Sequence, residues 1–299
     1  MKIEDNKFDY EKTLKTNPGD TFLNIQSYLY ITSRQITKLL FYTQVTPHQV
    51  IFLSMLFGIA ASYLIIQSDK VLVIAGAILL FYKNVLDKVD GSLARAKGLD
   101  SRRGRFYDSI SDFIVNISVF TAIGISLYQK YGSPFVYVIV YSAMICSMLQ
   151  CSFFIYYQVS FIKATGKETV NRLIEKITDE DLVNQDLWTL FLQRIFQVIY
   201  GWQDYLIYKI DKYMLNKITG SGFQVTDLNS LWYKNKSFLT IASTLSIGTH
   251  MVFIAFFAIF RWFEAYIFVN LILMNLLLIL SIIYKYLKAK RISATNSIN

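Results

Sequence analysis

What most constrains this chain is a succession of apolar blocks at residues 50–67, 71–86, 106–128, 134–162, 238–260 and 265–284, with the charged residues crowded between them. A helix needs about 20 residues to cross the hydrocarbon core of a bilayer, within a range of roughly 17 to 25. Each block is about that long, so the expected fold is an all-α integral membrane protein with six transmembrane helices. The second block is the shortest, but its helix can run on through Asp87 into the interface. A hydrophobic fraction of 54% with only three prolines sets the chain apart from soluble domains of its length.

The basic residues give an orientation, because Lys and Arg near span ends stay in the cytoplasm. With both termini cytoplasmic, the three outer loops hold one cation each, Lys70, Lys130 and Arg261. The loop between the second and third spans holds Lys88, Arg95, Lys97, Arg102, Arg103 and Arg105, and the chain's end holds Lys285, Lys288, Lys290 and Arg291. The net charge of +9 therefore flanks membrane spans. It suits anionic lipid headgroups, and no nucleic-acid module accompanies it. The expected location is the cell inner membrane, with the inner loops facing the cytoplasm. Cys146 and Cys151 fall within one span and suggest neither a disulfide nor a metal site.

Four regions follow. Residues 1–45 form a cytoplasmic N-terminus whose stretch 22–42 mixes apolar clusters with Arg34 and Lys38, the pattern of an amphipathic helix lying along the membrane surface. Residues 46–163 hold the first four spans. Residues 164–236 form a cytoplasmic or interfacial insert with nine basic and nine acidic residues. Within it, Gln193, Arg194, Gln197, Asp204, Asp211 and Lys212 make a polar stripe on an otherwise apolar helix, which suits an interfacial helix. A seventh span here would bury Arg194 and Asp204 and place the basic C-terminus outside. Residues 237–299 hold the last two spans and a basic tail. His250, in the middle of the fifth span, is read as a packing residue.

Between the second and third spans the sequence reads DKVDGSLARAKGLDSRRGRFYDSISD, residues 87–112. Asp87, Asp90 and Ala94 are spaced i, i+3 and i+7 and share one helix face, as do Asp108 and Asp112 at i and i+4. Two helices meeting through a tight loop can bring all four carboxylates together. Such a cluster needs cations, and a hard oxygen set without His or Cys favours two ions of Mg²⁺ or Mn²⁺. Asp100 lies in the loop and needs only solvent. Gly91 and Ala94 clear the helix face and Gly104 permits close approach, while Arg95 places a cation beside the acids. Metal and arginine together suit a nucleotide diphosphate. Lys83, Asn84 and Asn116, one turn from the acids, either extend the site or bond between helices. Arg102, Arg103 and Arg105 are explained equally by substrate phosphate and by inward placement of positive charge.

Asp87, Asp90, Gly91, Ala94, Arg95, Gly104, Asp108 and Asp112 fill every fixed position of D-x2-D-G-x2-A-R-x8-G-x3-D-x3-D, the signature of the CDP-alcohol phosphotransferases, and the chain resembles that family. The six-span layout, the surface helix and TPHQV at residues 46–50 resemble it too, with His48 where the family commonly has Asn. The resemblance implies transfer of a substituted phosphate from a CDP-alcohol donor to an alcohol acceptor, with release of CMP, in phospholipid synthesis. It implies metal ligation by Asp87, Asp90, Asp108 and Asp112, and proton abstraction by Asp112. It also implies CDP contacts from Asp90, Gly91, Ala94, Arg95 and Gly104. CDP-diacylglycerol is the expected donor. The alternative within the family is a CDP-aminoalcohol with diacylglycerol as acceptor. Family members are commonly homodimers, and one is expected here. Two other classes, an ion transporter and a non-catalytic membrane scaffold, are disfavoured. The acids lie at cytoplasmic span ends and not at the bilayer midplane, and none of the motif's aspartates is lost.

Overall fold

A computed structural model describes residues 7–24, 28–219 and 232–296. Parts of the N-terminal region, of the insert and of the basic tail thus lie outside the described residues. The described elements are all helical, with no strand among them. Four runs are long and apolar enough to cross a membrane: Pro47–Ile65, Arg102–Tyr131, Phe135–Ala164 and Phe263–Arg291. A fifth crossing results if Lys236–Leu245 and Ile247–Ile259, bent by 45°, are one broken span. These several apolar helices mark a membrane protein.

Six crossings were expected, and the difference lies in the second block. There the structure has one 28-residue helix, Lys70–Lys97. Lys83 and Asp87 interrupt its apolar run, so length and composition alone do not qualify it. It nevertheless occupies the centre of the bundle, packed against Leu29–Phe41, Pro47–Ile65 and Ile247–Ile259. Leu80 from this helix, Val115, Phe120 and Ile123 from Arg102–Tyr131, Val140 from Phe135–Ala164, and Ile254 and Tyr266 from the C-terminal part form one buried core. Lipid tails are as apolar as these side chains, so close packing and interhelical hydrogen bonds have to hold such helices together.

The bend in the 238–260 block falls at Ser246, whose backbone is extended. Its hydroxyl pairs with that of Thr249 at 3.1 Å, so the break is bridged by local polar groups. A π-helical stretch, Val269–Met274, lies in the last span. Beside it Gln150 donates to Asn275 Oδ1 (2.8 Å) and to the Asn270 carbonyl (3.2 Å), while Asn270 donates to the Ala143 carbonyl (2.9 Å). His250 is fully buried and its Nδ1 lies 3.1 Å from the Tyr266 hydroxyl, a packing arrangement.

The N-terminal region contains a 13-residue helix, Leu29–Phe41, inside the stretch expected to be amphipathic. In the insert, Leu187–Phe196 continues through a π-helical turn into Trp202–Thr219. The polar stripe on these helices is divided: Arg194 and Lys212 are exposed while two of its other members turn inward. Gln193 and Asp211 are buried, whereas Leu187, Trp188, Val198, Trp202 and Tyr213 are exposed. An apolar face directed outward is the arrangement of a helix that meets lipid.

Candidate active site

Two caps shape the junction between Lys70–Lys97 and Arg102–Tyr131. The first helix ends at Gly98, whose φ of +65° is the left-handed conformation that glycine adopts without steric cost. Leu99 then donates back to the Ala94 carbonyl at 2.8 Å. The second helix starts from Ser101, whose Oγ accepts the Gly104 N–H at 3.1 Å. Only residues 98–101 separate the helices. This four-residue link ties the two helices together at one end.

Across this junction Asp87, Asp108 and Asp112 each offer a carboxylate oxygen within 4.8 Å of the other two. At that separation, two ionised carboxylates repel by about 3 kcal/mol at an effective dielectric constant near 20. Lys83 relieves part of this: its Nζ donates to Asp87 Oδ1 at 3.0 Å and to Asp112 Oδ1. Lys88 comes no nearer than 4.0 Å, to the other oxygen of Asp87. Asp90 stands apart from the three. It is buried, its Oδ1 accepts the N–H of Gly91, and its Oδ2 has no hydrogen-bond partner. Four carboxylates against two lysines leave the site net negative. A wholly oxygen donor set, that negative charge and an orphaned buried oxygen all fit divalent cations.

The other motif residues surround the acids. Arg95 donates from Nε to the Thr13 carbonyl at 2.8 Å, and its guanidinium folds back over Gly91, where a Cβ would lie 3.3 Å from Nη1. The space left by Gly91 is thus shared with Arg95. Ala94 is buried. A Cβ on Gly104 would lie 3.3 Å from Ser101 Oγ and 3.9 Å from His48 Nε2. His48 itself packs on Tyr107 with ring centroids 5.8 Å apart. The imidazole that replaces the commoner Asn therefore sits against the second half of the motif. Asn84 donates to the Gly248 carbonyl at 3.0 Å and so bonds between helices. Asn116 is buried, and its Oδ1 has no hydrogen-bond partner.

Arg102, Arg103 and Arg105 are engaged by the insert. Glu175 accepts from both Arg102 and Arg105, Asp181 lies 3.6 Å from Arg102, and Asp186 lies 3.3 Å from Arg103. Asp181 also takes a bidentate pair from Arg172 at 2.6 and 2.8 Å. Burial pushes the Asp181 carboxyl up. The Arg172 bonds, the Thr178 N–H, Gln193 and nearby Arg102 outweigh that effect and hold it well below the usual carboxylate range. Phe106 packs on Leu192 and Phe196, and Tyr200 donates to the Ser109 carbonyl at 3.0 Å. The insert thereby grips the start of the third span, through Arg105 one turn before Asp108 and through the Ser109 carbonyl next to it. Sequence reasoning missed Glu175, which carries no local signal. The contact of Lys83 with Asp87 was foreshadowed by their i, i+4 spacing.

In comparison with known protein families, residues 44–177 match the family model described as CDP-alcohol phosphatidyltransferase. No curated protein matches the chain.

Proposed function

Because the chain carries a CDP-alcohol phosphatidyltransferase domain over residues 44–177, and that family consists of phosphotransferases for substituted phosphate groups, we propose that it transfers phosphatidyl from CDP-diacylglycerol to an alcohol, releasing CMP. The observation that carries this reading is the convergence of Asp87, Asp108 and Asp112 at one helix junction within that domain.

In this reading Asp87, Asp90, Asp108 and Asp112 hold two divalent ions, Mg²⁺ or Mn²⁺. Such ions, when bound, neutralise phosphate charge and polarise the phosphoryl group. Asp112 takes the proton from the acceptor hydroxyl onto its carboxylate as that oxygen attacks the β-phosphorus. The bond from the β-phosphorus to the oxygen bridging it to the α-phosphorus breaks, and CMP leaves with the bonding pair. Arg95 faces the diphosphate, while Gly91, Ala94 and Gly104 keep side chains out of the path of the CDP group. The remaining task of the protein is positioning, which the short Gly98–Ser101 link and the docked insert both support.

The membrane-surface helix Leu29–Phe41, a six-crossing bundle, an active site facing the cytoplasm of an inner membrane, and a homodimer complete the proposal. The crowding of cations around residues 88–105 supports the orientation. The experiment supplies labelled CDP-diacylglycerol and, separately, a labelled CDP-aminoalcohol with diacylglycerol, each with Mg²⁺ or Mn²⁺. Free and phosphorylated alcohols are tested as acceptors for the first donor. CMP formed from the first donor with one acceptor is the expected result, and CMP from the second alone would reassign the donor. No CMP from either, with metal still bound, would favour a scaffold or an ion pathway.

A further inference from the structure

The N-terminal segment is held onto the bundle by long-range bonds. Lys167 donates to the Leu14 and Thr16 carbonyls at 2.8 and 3.1 Å, Asn17 to the Thr165 carbonyl at 3.4 Å, and Arg95 to the Thr13 carbonyl. Between this segment, the helix Leu29–Phe41 and the end of Lys70–Lys97 lies a cavity of about 940 Å³. Five cations line it, Lys7, Lys15, Arg34, Lys38 and Arg95, and no Asp or Glu does. Among the described residues none of the five has a carboxylate within 4.0 Å. Arg34 is instead steadied over the Tyr10 ring, 3.8 Å from its centroid.

Cations gathered without counter-charge around a concave surface repel one another, and an anion of matching size relieves that repulsion. The cavity differs from the acidic site in sign, and the two adjoin at Arg95, which lines the cavity while folding back over Gly91. Of the residues that line it, Arg95 lies about 110° and Ser92 about 170° around the helix from the face bearing Asp87, Asp90 and Ala94. Its wall is also amphiphilic, for Ile31 and Tyr42 line it and are 69% and 63% exposed. We infer that this cavity is a second anion site, a seat for a phosphate group carried by a lipid headgroup or free in solution. Arg34 and Lys38, one helical turn apart, grip the phosphate, and the apolar rim accommodates the remainder of a lipid.

The test requires neither nucleotide nor divalent ion, so it stands or falls apart from the transferase reading. Native mass spectrometry follows the full-length chain in phosphatidylcholine micelles titrated with phosphatidic acid. The wild type and the exposed-residue variant Arg34→Gln/Lys38→Gln are compared with a control, Lys209→Gln/Lys217→Gln. The wild type and the control should retain phosphatidic acid about thirtyfold more tightly than the Arg34/Lys38 variant, roughly the strength expected for two basic residues near anionic lipid. Excess inorganic phosphate then distinguishes the sources. Displacement of the lipid assigns the site to any free phosphate, and retention assigns it to the lipid headgroup. Equal retention by all three proteins, or an equal loss in the control, would overturn the inference.

Discussion

Two groups of buried acids can be compared within this molecule. Asp211, on Trp202–Thr219, accepts hydrogen bonds from Tyr157 (2.6 Å), Tyr233 (2.7 Å), Trp232 (2.8 Å) and Tyr156 (3.1 Å). Lys285 adds its charge from 3.7 Å, held over the rings of Tyr157 and Trp232 at 3.3 and 4.2 Å. One carboxylate thus has four donors and a cation. At the helix junction, Asp87 and Asp112 share the donors of Lys83, and Asp90 keeps an oxygen without a hydrogen-bond partner. The difference teaches what burial alone does not: an acid whose acceptor sites are filled by the protein is a structural joint. Acids left short of donors are arranged for something else to bind.

The contrast can be broken most sharply by removing charge at each site. Asp112→Asn should reduce CMP release by about 10²–10⁴-fold, the range for loss of a general base, with only a small change in the melting temperature measured by fluorescence in detergent, because Lys83 keeps Asp87 as its partner. Asp211→Asn should do the reverse. Loss of the partner of a buried cation costs roughly 3 to 5 kcal/mol, so the melting temperature should fall while the activity of the folded fraction persists. If Asp211→Asn lost activity without loss of stability, the distinction between the two sites would fail.

Two smaller effects sharpen the comparison. Lys83→Met removes the cation that shares the acidic site, so Mn²⁺ should bind more tightly to the variant in the absence of nucleotide, as measured by isothermal titration. At the insert, the depressed acidity range of Asp181 sets a sign. Its contribution to stability is present above the ordinary carboxylate range near pH 4 and is lost as the pH falls below it towards the folded-state value. Hydrogen-exchange protection of residues 172–193 should therefore drop on acidification below about pH 4 in the wild type. Asp181→Asn should start lower at neutral pH and change less.

Much of this was legible in the chain. The spacing of Asp87, Asp90, Asp108 and Asp112 gives two helix faces, and the apolar blocks give the helices that carry them. Gly98 and Ser101, which close the junction, are ordinary stop and start signals. What the sequence did not reveal depends on contacts between residues far apart in the chain. Nothing near Glu175 announces that it pairs with Arg102 and Arg105 some 70 positions earlier. The polar stripe through Gln193 and Asp211 is plain in the sequence, but periodicity does not say that these two are buried while Arg194 and Lys212 stay exposed. Asp90 shares a helix face with Asp87, yet local backbone bonding keeps it out of the group of three. A shared face is a coarser condition than a shared ligand.

The junction of Lys70–Lys97 and Arg102–Tyr131 is proposed as a divalent-metal site serving phosphotransfer. Its most direct test is Mn²⁺ bound per chain, counted by electron paramagnetic resonance in the purified full-length protein and in Asp87→Asn and Asp108→Asn. Two ions are expected in the wild type and fewer in each variant, with CMP release falling in step. Wild-type protein that binds no Mn²⁺, or variants that bind as many ions and release as much CMP as the wild type, would contradict it.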